Sequence, residues 1–256
     1  MKKHLSVLGL CLSLSLYKVL ALAAAMAAAE ALLFWLALPK GTDAAAAGAF
    51  DNVISSSHIA VVFVISLLLC LWICFGRVKN GSSLSNYSYT LQRLKISERS
   101  AFLWHCVSNT AVIAIFYMAQ IAALALLARW FMLSTGGAGG PQGIYLSLCR
   151  STFLHKLVPM QQSALWLYNA SCILLMACVV AYAQLTQKSR FGGLAVFAVL
   201  VLSYQFMRAD VSNSNDSLIY FMAAADLAIT IVITAYGCIK AHSGRPQALK
   251  EAKGNA

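Results

Sequence analysis

Six long apolar segments, separated by loops whose positive charge favours alternate sides, constrain this chain more than any other feature. They run from Val19 to Leu38, Ser57 to Gly76, Ala101 to Ala128, Ser163 to Gln184, Phe191 to Met207 and Ser217 to Ile239. A bilayer core about 30 Å thick is crossed by about 20 helical residues. Five segments reach or approach that length, and Phe191 to Met207 is shorter. With the amino terminus in the cytoplasm, Lys40, Arg129, Arg150, Lys156 and Arg208 fall outside and the other fourteen Lys and Arg fall inside. That asymmetry follows the positive-inside rule. The expectation is an all-α, polytopic protein of the cell (plasma) membrane with six transmembrane helices and both termini cytoplasmic.

Charged residues are only 11% of the chain, whereas a soluble domain carries roughly 25%. The longest segments between spans are too short to hold a separate catalytic domain. A net charge of +11 invites a nucleic-acid reading, but its placement on one side points to anionic inner-leaflet lipid instead. Membrane lipid is therefore an expected partner and nucleic acid is not. Cys11, Cys70, Cys74, Cys106, Cys172, Cys178 and Cys238 lie in or beside apolar helices and read as small packing residues. Cys149 falls in an outer loop.

Residues 1–18 differ from the span that follows. Leu5, Leu8, Leu12 and Leu16 recur at helical spacing, and Lys2, Lys3 and Lys18 bracket the stretch. This reads as an amphipathic interfacial helix, with simple extension of the first span as the alternative. The apolar run continues to Leu38, longer than a signal-peptide core, so it is read as a retained span. Within the first span Ala21, Ala25 and Ala29 form a ridge of small residues suited to close helix approach. The six spans occupy 19–240 and a basic tail follows from 241 to 256. Between spans two and three, Ser85 to Lys95 fits a short helix with Tyr87, Leu91 and Leu94 on one side, and Ser97 fits an N-cap for the third helix. Leu146 to Leu157 is read as one short outer helix.

The motifs that are missing narrow the chemistry. There is no G-x-x-x-x-G-K-[ST], H-E-x-x-H, C-x-x-C or G-x-S-x-G. The histidines His4, His58, His105, His155 and His242 are scattered over both sides, and a metal site needs converging ligands. The chain is read as a non-enzyme with no directly bound cofactor, no catalytic residues and no metal.

Two acidic residues fall inside the spans, Glu30 and Asp226. Both lie about 12 to 14 Å below the outer edge at 1.5 Å per residue. Gln120 and Asn169 fall in a similar band, so four helices contribute to one polar layer. Polar groups at that depth are costly and mark either a substrate path or helix-to-helix hydrogen bonds. No span is broken by Pro or Gly as in many ion-coupled transporters, which weighs towards the helix-bonding role. His105 and Asn109, nearer the inner end of the third span, read as local packing.

Residues 89–102, YTLQRLKISERSAF, resemble the first intracellular loop of type-2 ABC exporter permeases. That family carries a short helix, a Leu-x-(Ile/Val)-Ser turn and then the third span, and Leu94, Ile96 and Ser97 occupy the turn here. Lys95 stands where the family often has Pro, and the loop from Arg208 to Asp216 is shorter than the family's outer region between spans five and six. The resemblance implies a permease subunit of an ATP-driven exporter of unspecified substrate. It also implies pairing with a second permease subunit, as homodimer or heterodimer, and a separate ABC ATPase that holds ATP and Mg. The stretch 1–18 would be the connecting helix and Tyr87 to Leu94 a cytoplasmic coupling helix. Tyr87, Tyr89, Leu91 and Leu94 would be apolar anchors in the ATPase, with Arg93, Lys95 and Arg99 orienting them. The alternatives are a non-transporting membrane protein (assembly, sensor or immunity factor) and the membrane subunit of another ATP-dependent transporter.

Overall fold

A computed structural model describes residues 2–38, 50–76, 97–135, 140–160, 162–186, 201 and 216–243. The helices longer than one residue among them are α1 (Lys2–Ala37), α2 (Phe50–Ser56), α3 (Ile59–Gly76), α4 (Glu98–Ser134), α5 (Pro141–Arg150), α6 (Thr152–Leu157), α7 (Ser163–Thr186) and α8 (Asp216–Ser243). No strand occurs among the described residues. Four helices are long and apolar enough to cross a membrane, over Ser15–Ala37, Arg99–Ser134, Ser163–Gln184 and Asp216–Lys240. The bent pair α2–α3 makes a fifth if it is one span. The chain is thus a helical, multi-pass membrane protein with four to five spans among the described residues. The expected span at Phe191 to Met207 lies outside them except for helical Val201. So do the expected Ser85–Lys95 helix and the tail beyond Ser243.

Local chemistry explains where several helices begin. Ser97 caps α4, its hydroxyl accepting from the Ser100 backbone N–H at 3.3 Å. The helix then runs to Ser134, past the expected end at Ala128. Pro141 occupies the first turn of α5, where its missing N–H removes no helical bond. The expected single helix from Leu146 to Leu157 is divided at Ser151. Its backbone is extended and its hydroxyl accepts from the Leu154 N–H, opening α6 as a separate element.

A further expectation is revised at the same end of the molecule. The polar loop expected from Pro39 to Ser56 contains α2, whose Phe50, Val53 and Ile54 are buried. α2 meets α3 at a bend of 58°, with His58 in the left-handed region at φ 53°. At the far end of the bundle, α1 runs unbroken from Lys2 across Lys18 and Val19 to Ala37, and its membrane-length apolar stretch begins at Ser15.

Packing is organised around α4, which touches α1, α3, α7 and α8. α7 is the most enclosed long helix, with 78% of its apolar window buried against 28% for the α1 span and 17% for α8. α8 leaves Ile229, Ile231, Val232 and Ile239 exposed, a face suited to lipid. The buried stripe of α1 is Val19, Ala23, Met26, Glu30 and Phe34. The alanine ridge lies elsewhere: Ala21 and Ala25 are exposed and Ala29 half-buried. An all-round apolar helix carries no internal signal for which face packs.

Pairwise contacts set the helix directions. Phe34 meets Trp130 with ring centroids 5.9 Å apart, and Glu30 faces Gln120, so α1 and α4 run parallel. Ser163 lies against Tyr220, Cys172 against Asp226, and Cys178 against Thr234. α7 and α8 therefore also run parallel. One end of the bundle is capped by α2, α5 and α6. There Phe50 packs against Phe34 and Phe131, and the Ser147 hydroxyl donates to the Asp51 carboxylate at 3.3 Å.

Candidate functional site

The four residues of the expected polar layer, Glu30, Gln120, Asn169 and Asp226, lie in described helices and fall into three groups. The first links α4, α6 and α7. The Tyr117 hydroxyl donates to the Leu157 carbonyl at 2.6 Å and accepts from the Asn169 amide at 3.1 Å. The same amide donates to the Lys156 carbonyl at 2.7 Å. These bonds satisfy carbonyls at the end of α6, where a helix leaves acceptors open. Asn169 therefore acts as a clamp between elements.

The second group joins α7 and α8. The Ser171 hydroxyl and the Cys172 thiol donate to Asp226 Oδ2 at 3.5 and 3.3 Å. The Tyr168 ring lies one turn away on α7 and carries Lys156 Nζ at 5.7 Å from its centroid. Asp226 and Lys156 both lie near enough to act electrostatically on the Cys172 thiol. Lys156, expected on the outer side, is buried within the capped bundle end. Its stem packs inward and its charge meets an aromatic face.

The third group is Glu30 on α1 and Gln120 on α4. Both side chains are 0% exposed. They face one another, yet neither carboxylate oxygen and neither amide atom closes a hydrogen bond among the described residues. Gln120 lies three residues beyond Tyr117, so the unsatisfied pair sits one helical turn from the Tyr117–Asn169 clamp, whose Asn169 Oδ1 is also without a hydrogen bond among the described residues. Asn109, expected to serve packing, is fully buried with both amide atoms likewise unsatisfied. Val112, Ile113 and Phe116 occupy the same buried face of α4 between it and Gln120.

At the opposite end Phe102, Cys106, Cys178 and Ala181 form a small buried cluster joined by Cys238. The Cys106 and Cys178 thiols face each other there. Cys70, Cys74, Cys106, Cys149, Cys172, Cys178 and Cys238 are free thiols. Among the described residues no group of three or more His, Cys, Asp or Glu could hold a metal ion.

Of the expected ATPase-coupling residues, Tyr87, Tyr89, Leu91, Arg93, Leu94 and Lys95 lie outside the described residues. Arg99 is exposed in the first turn of α4. Sequence reasoning missed Tyr117 and Lys156. Tyr117 was detectable as the residue one turn before Gln120 on the same face. Lys156 carried no local signal, because its burial comes from the packing of α6 over α7.

No protein-family model, no curated protein and no solved structure matches this chain.

Proposed function

We propose that the chain is the membrane-embedded subunit of a transporter and crosses the bilayer six times. The observation that carries the transport reading is the Glu30–Gln120 pair, two fully buried polar side chains left unsatisfied inside an apolar bundle. Polar groups at such depth are expensive, and they mark solute or ion paths when they are not consumed in helix bonding. Six crossings are supported by the parallel course of α7 and α8. Thr186, which ends α7, and Asp216, which opens α8, lie towards opposite ends of the bundle, and the apolar run Phe191 to Met207 falls between them in sequence.

The specific form of the reading is a permease driven by a separate ABC ATPase. It is supported by the resemblance at residues 89–102 and by Ser97, the serine of the turn motif, which caps the third span. Solubilisation of the intact membrane complex should recover an ATP-binding subunit with this chain. Replacing Leu91 and Leu94 by Ala together with Arg93→Glu should release that subunit while the permease stays monodisperse. A complex that survives these changes excludes the docking mode, and recovery of no nucleotide-binding partner excludes the ATPase-driven reading.

A non-transporting membrane protein is the second reading. It is favoured by Asn169 and Asp226, which are bonded to neighbouring helices rather than directed into a path.

A further inference from the structure

The occupant of the Glu30–Gln120 pair follows from its chemistry. An ionised carboxylate enclosed in an apolar bundle with no counter-charge costs several kcal/mol. Gln120 is the polar side chain that acts on Glu30. The other titratable groups on elements packed against α1 are engaged or distant. Asp51 on α2 accepts from Ser147. Tyr117 on α4 donates to Leu157. Arg129 on α4 is exposed beyond the pair. Cys70 and Cys74 on α3, and His105 and Cys106 on α4, lie towards the opposite end.

Either a metal cation or a proton would neutralise the carboxylate. A hard cation takes about six oxygen ligands, whereas the pair supplies two carboxylate oxygens and one amide oxygen. A proton needs a single acceptor. Gln120 suits both states of such a site: its carbonyl accepts from a carboxyl O–H, and its NH2 donates to a carboxylate. Rotation of one amide can follow loading and release. An aliphatic residue at 120 would bond to neither state and would disfavour the charged one more.

We propose that Glu30 and Gln120 form a reversible proton-binding site within the membrane. In the closed packing of α1 on α4 the proton is held as the O–H of the Glu30 carboxylic acid. When the pair becomes hydrated that O–H bond breaks, the proton passes to water and the carboxylate remains, with no change of oxidation state. The proposal goes beyond the transport reading, since it holds whether or not the proton drives a solute.

The test is infrared difference spectroscopy of the full-length protein in lipid nanodiscs, titrated from about pH 4 to about pH 10. A carboxylic-acid C=O band should fade as pH rises. It should be missing in Glu30→Gln and displaced but still titrating in Glu30→Asp. Gln120→Leu should bind the proton about tenfold more tightly, a shift of about one pH unit in the midpoint, because the lost donor to the charged carboxylate outweighs the lost acceptor to the neutral acid. If Glu30→Gln does not fold, the displaced band of Glu30→Asp supplies the assignment. A Glu30-dependent acid band that ignores pH would overturn the proposal by showing a fixed neutral acid. A spectrum with no Glu30-dependent acid band would overturn it by showing a permanent carboxylate. Either failure is separate from that of the ATPase reading, which is judged by partner capture.

Discussion

Tyr117 illustrates how one side chain ties distant parts of this chain together. Its hydroxyl donates to a carbonyl forty residues away and accepts from Asn169 on a third element. Tyr117→Phe keeps the ring and leaves the Leu157 carbonyl and the Asn169 amide short of a partner. Such a loss costs about 1 to 3 kcal/mol. Asn169→Ala removes the partner and the donor to Lys156 at once. The two changes share one network, so their effects should fall short of additive by more than about 0.5 kcal/mol. Unfolding of the single and double variants in SDS-titrated micelles checks this; strict additivity would place the two groups in separate environments.

At the scale of elements, two helix contacts make predictions of their own. A Cβ added at Gly237 of α8 would press on the Phe102 ring of α4. That ring is buried among Cys106, Cys178 and Ala181, so it has little room to retreat. Gly237→Ala should destabilise by about 1 to 3 kcal/mol, and Phe102→Leu in the same chain should restore part of the loss. A double variant no better than Gly237→Ala would contradict the contact. The α2–α3 corner places His58 at positive φ, a conformation that costs a non-glycine residue about 1 to 2 kcal/mol. His58→Gly should therefore be close to neutral, its added chain entropy offsetting the relieved strain, whereas His58→Val should lower the thermal midpoint in detergent. The corner was not legible beforehand. Phe50, Val53 and Ile54 are too few to announce a buried helix, and they become one only because Phe34 and Phe131 offer them a surface.

For the whole molecule, the charge bias and the capped bundle end predict one orientation. Cys149 on α5 is half-buried at the capped end, and Cys238 on α8 lies near the other. With the amino terminus in the cytoplasm, a membrane-impermeant maleimide applied outside intact cells should modify Cys149 and leave Cys238 untouched. Labelling of Cys238 from outside would invert the topology and remove the inner location of residues 89–102. The apolar runs were legible because spanning a bilayer requires about 20 helical residues, a demand on composition and length alone. Ser97 was legible for a similar local reason, since a cap acts within one turn. The polar layer was legible as a depth, because rise per residue is fixed. Its division into a clamp, a bonded aspartate and an unsatisfied glutamate was not.

What this chain's residues determined by themselves is its helical, membrane-crossing character and the height of Glu30, Gln120, Asn169 and Asp226 along their helices. Both follow from hydropathy and a constant helical rise, which need no neighbour. What only the tertiary structure decided is which face each helix presents: that α1 buries Glu30 and turns its alanine ridge outward, and that Lys156 is folded inward beside Tyr168. A helix apolar on all sides has no preferred face of its own, so rotation about its axis is set by the shapes and hydrogen bonds of the helices around it.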